Sequence, residues 1–498
     1  GGGPPPGWRA GPHGSELALL GVDVVHPDAA HPLLERLGAR PFDVRGVLDG
    51  ALVHRVADAA TFDPAEARQM LVAAVSLLSD AAIAPGELVA LSSLPVPTSD
   101  GGWAPAATVV FPGSVLDAIA SAETPRLADA MAATATAAAW AALGILTALT
   151  PVTLHEVRLD LDAWDDVIVD GADWCAAVAD HVGPHDPGEL LAPEVTIVRG
   201  IEQVDGVSLA DVSGLIAAPD VRRAIVANTL VLTADGRRVA VPSPAAWWLS
   251  ETPLLDGRTP IEVRVAGDER IAPFFPVVVS PEGVGPDVLD AIGVHSTLER
   301  WLQAPNGVDE LLDALADEDL DIDPELLTQL YVQIADTPRL NSVDPPSRVR
   351  AVVGERTVVV DADDVVVAVA PHHVLVLTAP HIPGDRALAD VLDLAVSDDA
   401  SCLATTLAGS GGERRVPTLP PLVAAPATYR EHDELVIGGV VVDWWVTDEG
   451  EVHAATLDGL ARALAWVGGV WVRRFEFAAS LERPESSDAF AVERRYDR

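Results

Sequence analysis

The densest group of metal-binding side chains in the sequence is His26, Asp28 and His31, held within the stretch HPDAAHP. Two imidazoles and a carboxylate make a plausible ligand trio for a divalent metal. The same residues also make an ordinary helix entry, with Asp28 capping and Pro27 and Pro32 shaping the turn. His181 and His185 pose the same choice, but their Gly-Pro loop supplies no third ligand by spacing. Asp319, Asp321 and Asp323 match the first, third and fifth positions of a calcium loop, yet Pro324 stands where glycine is needed and Leu330 where a bidentate glutamate is needed. That run reads as a charged connection between helices. The glycine-rich AGSGGERR around Gly409 lacks the Lys-Ser/Thr of a phosphate loop and the third glycine of a dinucleotide turn. No G-x-S-x-G elbow occurs, and no Ser, His and acid are grouped as in a hydrolase. The tryptophan pairs Trp247-Trp248 and Trp444-Trp445 remain as candidate partner contacts, since aromatic rings concentrate binding energy at interfaces. Neighbours on a strand or helix point different ways, so one ring of each pair is expected in the core and the other outside.

The elements that must position these residues recur. Three hairpins are expected, at Leu94 to Ser114, Leu230 to Pro244 and Val349 to Asp364, each reversing at an Asp-Gly or Gly-Glu step. Leu-Gly and Ile-Gly steps at Leu20-Gly21, Leu37-Gly38, Leu143-Gly144 and Ile292-Gly293 follow apolar stretches. Helices are expected from Pro27 to Leu37, after Asp63-Pro64, from Ser121 to Leu143, in one or two pieces ending near Gly183, at Val221 to Val226 and after Ser243-Pro244. GVDELLDAL and DPELLTQLYVQIAD are amphipathic. A strand pair turning at Asp448 to Gly450 precedes a closing helix with Leu457, Leu460, Ala461, Leu464 and Val467 on one side, and a loose tail follows Pro484. Strands and helices alternate without a regular βαβ period, which makes the class α+β: tandem modules of helices on short antiparallel hairpins. The expected divisions are a linker or cut end at 1–15 and modules at 16–150, 151–292, 293–372 and 373–498.

Composition narrows the partners. The 498 residues include 75 acidic side chains against 32 basic ones, all arginine, for a formal net charge of −43. Such a surface repels phosphate backbones and anionic lipid, so nucleic acid and membrane are not expected as partners. Cys175 and Cys402 are too few for a disulfide framework and suggest a reducing, cytoplasmic setting. The uncharged run from Met131 to Leu154 is long enough for a membrane span, but it is rich in Ala and Thr and contains Gly144, where a helix caps and stops.

Four long phrases, LLGVDVVHPDAAHPLLERLGA, RVAVPSPAAWWL, LVAAPATYREHDELVIGGVVVDWWV and GEVHAATLDGLARALAWVGGVW, resemble one family. It is that of large actinobacterial proteins described as heat shock protein 90-like or as carrying a sacsin N-terminal ATP-binding-like domain. The resemblance spans about Leu17 to Trp471 and is to the downstream half of such proteins. It implies an α+β body behind an upstream ATPase head that binds ATP and magnesium, and a protein partner or client. The head's own residues are missing from this sequence. Asn228, Asn306 and Asn341 are not preceded at four residues by the glutamate the site needs, and the Asp-x-Gly steps at Asp100, Asp186 and Asp448 do not continue to the second glycine. The resemblance therefore implies a non-catalytic body, with no catalytic, cofactor or metal residue in this chain; an independent metal-dependent enzyme or a structural scaffold are the rival readings. Elemental analysis of the purified chain separates the enzyme from the body: the expected outcome is no stoichiometric zinc or manganese, unchanged by His31→Ala, whereas tight metal lost in that variant establishes the enzyme.

Overall fold

Asp63 and Pro64 start the helix that organises the first part of the chain, the Asp63 carboxylate accepting from the Ala65 and Glu66 amides at 3.2 Å. The computed structural model describes residues 9–10, 14–21, 40–41, 43–48, 50–79, 81, 83–84, 87–159, 169–183, 189–304, 306–337, 345–377, 379–397, 407–408, 411–417, 426–447 and 449–482. His26, Asp28, His31, His185, Cys402, Gly409, the helix expected at Pro27 to Leu37 and the tail after Pro484 lie outside the described residues. The chain forms two compact units, Gly1–Ser296 and Thr297–Arg498. Their border lies four residues from the division expected at 292/293. Both units mix helices with small sheets, and the fold is α+β.

In the first unit, α1 (Gly14–Leu19), α2 (Gly50–Phe62) and α3 (Pro64–Ser79) pack around Met70, Leu71, Ala74, Leu77 and Leu78, the face that helical spacing marks as apolar. The first hairpin is short, β1 (Pro95–Pro97) against β2 (Trp103–Pro105), with Gly101 at φ +89° in its turn. The single helix expected from Ser121 to Leu143 does not form. Thr124 precedes a proline and is driven out of the helical region. Val110 then takes this stretch as a β-bridge, donating to Pro125 O at 2.9 Å and accepting from Leu127 N at 3.0 Å. Helix resumes only as α4 (Asp129–Ala132) and α5 (Ala137–Leu143), the latter opened by the Thr136 hydroxyl accepting from the Ala139 amide. Gly144 closes α5 at φ +119°, a backbone state glycine enters without strain. Among the described residues no helix is long and apolar enough to cross a membrane.

The middle of this unit is built on a four-stranded antiparallel sheet, β3 (Thr150–Arg158), β4 (Leu191–Arg199), β5 (Thr229–Leu232) and β6 (Arg238–Val241), in that order. The last two strands are the second expected hairpin. Around it lie α6 (Gly171–Val182), α7 (Leu209–Ile216), α8 (Pro219–Val226) and α9 (Pro244–Glu251). Ser243 caps α9 as its sequence suggests, accepting from Ala246 N at 3.1 Å.

The second unit begins with α10 (Leu298–Gln303), α11 (Gly307–Leu315) and α12 (Pro324–Ala335), joined by the acidic run, in which Asp323 is the cap of α12. Next comes a five-stranded sheet built from β7 (Arg348–Val353), β8 (Arg356–Asp361), β9 (Val366–Ala368), β10 (His381–Pro383) and β11 (Ala395–Val396), with α13 (Arg386–Leu392) between the last two. Its order is β8-β7-β10-β9-β11. The third expected hairpin, β7–β8, is antiparallel, whereas β9 runs parallel to both its neighbours. Parallel pairing needs crossover connections, and the turn after β9 and α13 supply them.

Two further sheets follow, β12-β15-β16 from Leu407–Ala408, Leu435–Ile437 and Val440–Val442, and β13-β14-β18-β17 from Gly412–Arg415, Thr428–Glu431, Val452–Ala454 and Trp444–Val446. The β17–β18 hairpin turns where expected; the β15–β16 hairpin, reversing at Gly438-Gly439, is an additional one. Helix α14 (Leu457–Val467) covers this layer and packs on α15 (Arg474–Glu482). Leu460, Ala461 and Leu464 of α14 are buried as expected, but Leu457 and Val467 are 52% and 36% exposed. The reason is length: a three-residue strand spans about 10 Å and an eleven-residue helix about 16 Å, so both helix ends overhang the sheet.

Gly459 makes the closest contact in this layer, since a Cβ there would drive into the Asp443 backbone carbonyl. Gly214 of α7 has no atom within 4 Å of the same position and an ordinary helical backbone. Gly459→Ala is therefore expected to destabilise the second unit by about 1–3 kcal/mol, as overpacking does. Gly214→Ala should instead stabilise the first unit by about 0.5–1 kcal/mol through helix propensity, both read from denaturant unfolding.

Candidate functional site

The second unit gathers five buried histidines, His372, His373, His381, His432 and His453. Each sits in or beside a strand, and all but His432, which lies between Glu431 and Asp433, have apolar neighbours in sequence; the backbone that pairs in a sheet also carries the imidazole inward. His372 and His373 follow β9, in the turn that crosses to β10. His373 Nδ1 lies 2.7 Å from the Ser397 hydroxyl, which also accepts from the Val369 amide at 3.3 Å. That is nucleophile-to-base distance. Ser397 is, however, 0% exposed, so its oxygen meets no substrate in this state. The pair ties the end of β11 to the turn after β9.

His372 is surrounded by rings. Its centroid lies 4.7 Å from Trp445, 5.2 Å from Trp444 and 6.2 Å from Trp466, and Trp444 stacks on Trp471 at 5.7 Å. Burial, reinforced by neighbouring His373, drives His372 down to about 3 against a backbone hydrogen bond to Val446. His381 sits in the central strand β10. Its Nδ1 donates to Ala379 O at 3.1 Å, which leaves Nε2 as a buried lone pair with no partner among the described residues, and burial again lowers its pKa.

His432 and His453 form the other group. Parallel pairing of β14 with β18 brings them together, and His432 Nε2 lies 3.0 Å from His453 Nδ1. One imidazole must donate and the other accept, so this contact holds a single shared proton. Gly411 lies flat against the His432 ring, where a side chain has no room. Behind His453, Glu451 stands 3.7 Å from Nε2 and is itself held by Arg430. Burial lowers both histidines; for His453, Glu451 opposes the fall. Among the described residues no three His, Cys, Asp or Glu side chains converge as a metal site.

The tryptophans expected to reach outward behave differently in the two pairs. Trp248 is buried and donates from Nε1 to Asp170 at 3.0 Å, while Trp247 stays half-buried between two apolar cores. Trp444 and Trp445 are 1% and 5% exposed. The expectation of one outward ring fails for this pair because β17 is covered on both faces: Trp444 packs with the residues under α14 and α15, Trp445 with Leu435, Ile437 and Val442. The histidine cluster was missed in the sequence. The available signal was imidazole inside strand-like apolar runs, as in Val-His-Ala at His453. Comparison with protein families, with curated proteins and with solved structures yields no match.

Lowered histidine pKa values set a pH dependence. Between the folded-state value and the ordinary value of about 6.5, the unfolded chain binds a proton that the folded chain refuses. Stability from these neutral imidazoles is complete above about pH 6.5 and is lost as pH falls, at about 1.4 kcal/mol per pH unit for each histidine within its window. Denaturant unfolding of the second unit is expected to weaken between about pH 7 and pH 5, with proton uptake on unfolding. His372→Gln should lower that uptake by about one proton.

Proposed function

We propose that this chain is the non-catalytic body of a chaperone-like ATP-binding protein of the cytoplasm, which binds a protein partner or client and couples to an upstream nucleotide-binding head. ATP and magnesium belong to that head. The resemblance of the four long phrases suggests the context, and one structural observation carries the reading. In the second unit the described histidines and Ser397 are turned inward, while in the first unit apolar side chains stand at the surface. Ser397, His373, His432 and His453 are all buried, yet Leu19 and Val72 remain 43% and 38% exposed. These two flank a groove of about 390 Å³ between α1 and α3, lined also by Glu16, Arg68, Gln69 and Ala73. An apolar groove with a charged rim suits the apolar face of a partner helix.

The test uses the chain extended by whatever reading frame precedes Gly1. If that frame encodes a nucleotide-binding head, a photo-crosslinker at position 72 is expected to capture a recurring protein whose yield changes with ATP and drops with Leu19→Asp. A frame without such a head, or crosslinking indifferent to both ATP and Leu19→Asp, defeats the proposal.

A further inference from the structure

An edge strand leaves half its backbone hydrogen-bonding groups unpaired, and folded proteins blunt such edges with prolines, kinks, charges or short length. Among the described residues most edges of this chain are blunted in one of these ways. Strand β3 contains Pro151 and holds Glu156 at φ +54°. Strand β13 is Gly-Glu-Arg-Arg; β6 has four residues and β16 three. Strand β8 is the exception, running six residues, Arg356–Asp361, with Thr357, Val358, Val359 and Val360 in the middle, no proline and no positive φ.

The register fixes which backbone groups β8 presents. The β7–β8 turn is two residues long with Gly354 at φ +62° in its first position, so Val353 and Arg356 form the closing hydrogen-bonded pair. At the other end Ala362 N donates to Ser347 O at 3.0 Å, which keeps the same alternation. Arg356, Val358 and Val360 therefore bond to β7, and the N–H and C=O groups of Thr357, Val359 and Asp361 face away from the sheet. No described strand lies there, because β8 is the end of the order β8-β7-β10-β9-β11. At its end and just past it stand the exposed carboxylates of Asp361, Asp363 and Asp364, and no arginine among the described residues pairs with them.

A second copy of this chain fits poorly. Two β8 strands pairing antiparallel so that all three outward residues of each are used set Val359 opposite Val359 and Thr357 opposite Asp361. The same register puts Glu355 opposite Asp363 at both ends, like charges on chains that each carry a net charge of −43. We propose instead that β8 binds an extended segment of a protein partner by strand addition, β-branched in its middle and basic where it passes Asp361, Asp363 and Asp364. Main-chain hydrogen bonds supply the affinity, the half-buried valines select β-branched side chains, and the carboxylates select the basic end. The acidic surface draws such a segment in from a distance. This rests on the partner-binding reading above and names the kind of partner.

The probe is a fluorescent peptide, Lys-Arg-Thr-Val-Thr-Val-Thr-Arg-Lys, titrated with the full chain. Val359→Pro removes one outward N–H and leaves the β7 pairing intact, so it should weaken binding by about tenfold or more with the unfolding transition retained. Changing Asp361, Asp363 and Asp364 together to Asn should weaken it and flatten its salt dependence. A peptide N-methylated on alternate residues, which cannot pair along the strand, should not bind the unaltered chain; this arm stands even where Val359→Pro fails to fold. Equal binding of the methylated peptide, or by folded Val359→Pro, overturns strand addition. So does a concentration-dependent dimer that Val359→Pro abolishes, which assigns the edge to a second copy. ATP-dependent capture at position 72 that persists in Val359→Pro leaves the proposed function standing and removes only the role of β8.

Discussion

The second unit depends on one constraint: strand β7 of its central sheet is buried on both faces, so the polar groups carried there are satisfied inside the protein. Val349, Arg350, Ala351 and Val352 are buried in succession along β7, where a half-solvated strand would alternate. Arg350 turns the constraint into structure. Its guanidinium is 3.0 Å from Leu315 O and also bonds Asp317 O, so a buried cation satisfies the last carbonyl of α11 and one in the turn just after it. In return its own backbone carbonyl receives the Tyr331 hydroxyl at 2.9 Å, joining α12 to the same strand. The helices lie over β7 because these polar groups have nowhere else to go.

The buried histidines follow this rule only in part: the inner contacts Ser397–His373 and His432–His453 are made, while His381 Nε2 finds no partner among the described residues. An imidazole carries both a donor and an acceptor, and losing its charge costs little near neutral pH, which makes it usable where a permanently charged side chain would be expensive. Ser397 with His373 and His432 with His453 are each a donor–acceptor contact made within the protein. Their catalytic look, a hydroxyl beside an imidazole or two imidazoles face to face, comes from this pairing. The buried histidines of the second unit and the exposed apolar groove of the first lead to the proposed reading of the chain as a binding body, and the unblunted strand β8 gives that reading a specific edge.

Local signals were legible where local physics decides. Asp63-Pro64, Ser243-Pro244 and Asp323-Pro324 each start a helix, because a capping side chain and a proline act within one turn of chain. Gly101, Gly236 and Gly354 mark the three hairpins, because a left-handed turn residue reverses the chain regardless of its surroundings. The Ala-rich stretch from Ser121 was misleading: its composition favours helix, but a β-bridge to Val110 far from it in pairing decides the outcome. Likewise the parallel pairing of β9 with β10 and β11 leaves no mark on any single segment.

The sequence by itself determined the α+β class, the positions of the three hairpins, the caps of the main helices and an acidity that disfavours nucleic acid. These follow from interactions within a few residues of chain, or from summed charge. Only the tertiary structure decided that both rings of Trp444-Trp445 are buried, that His432 meets His453, and that β8 ends a sheet without a blunting device. Such facts depend on which strand lies beside which, and that is set by long-range burial shared among segments whose own sequences do not name their neighbours.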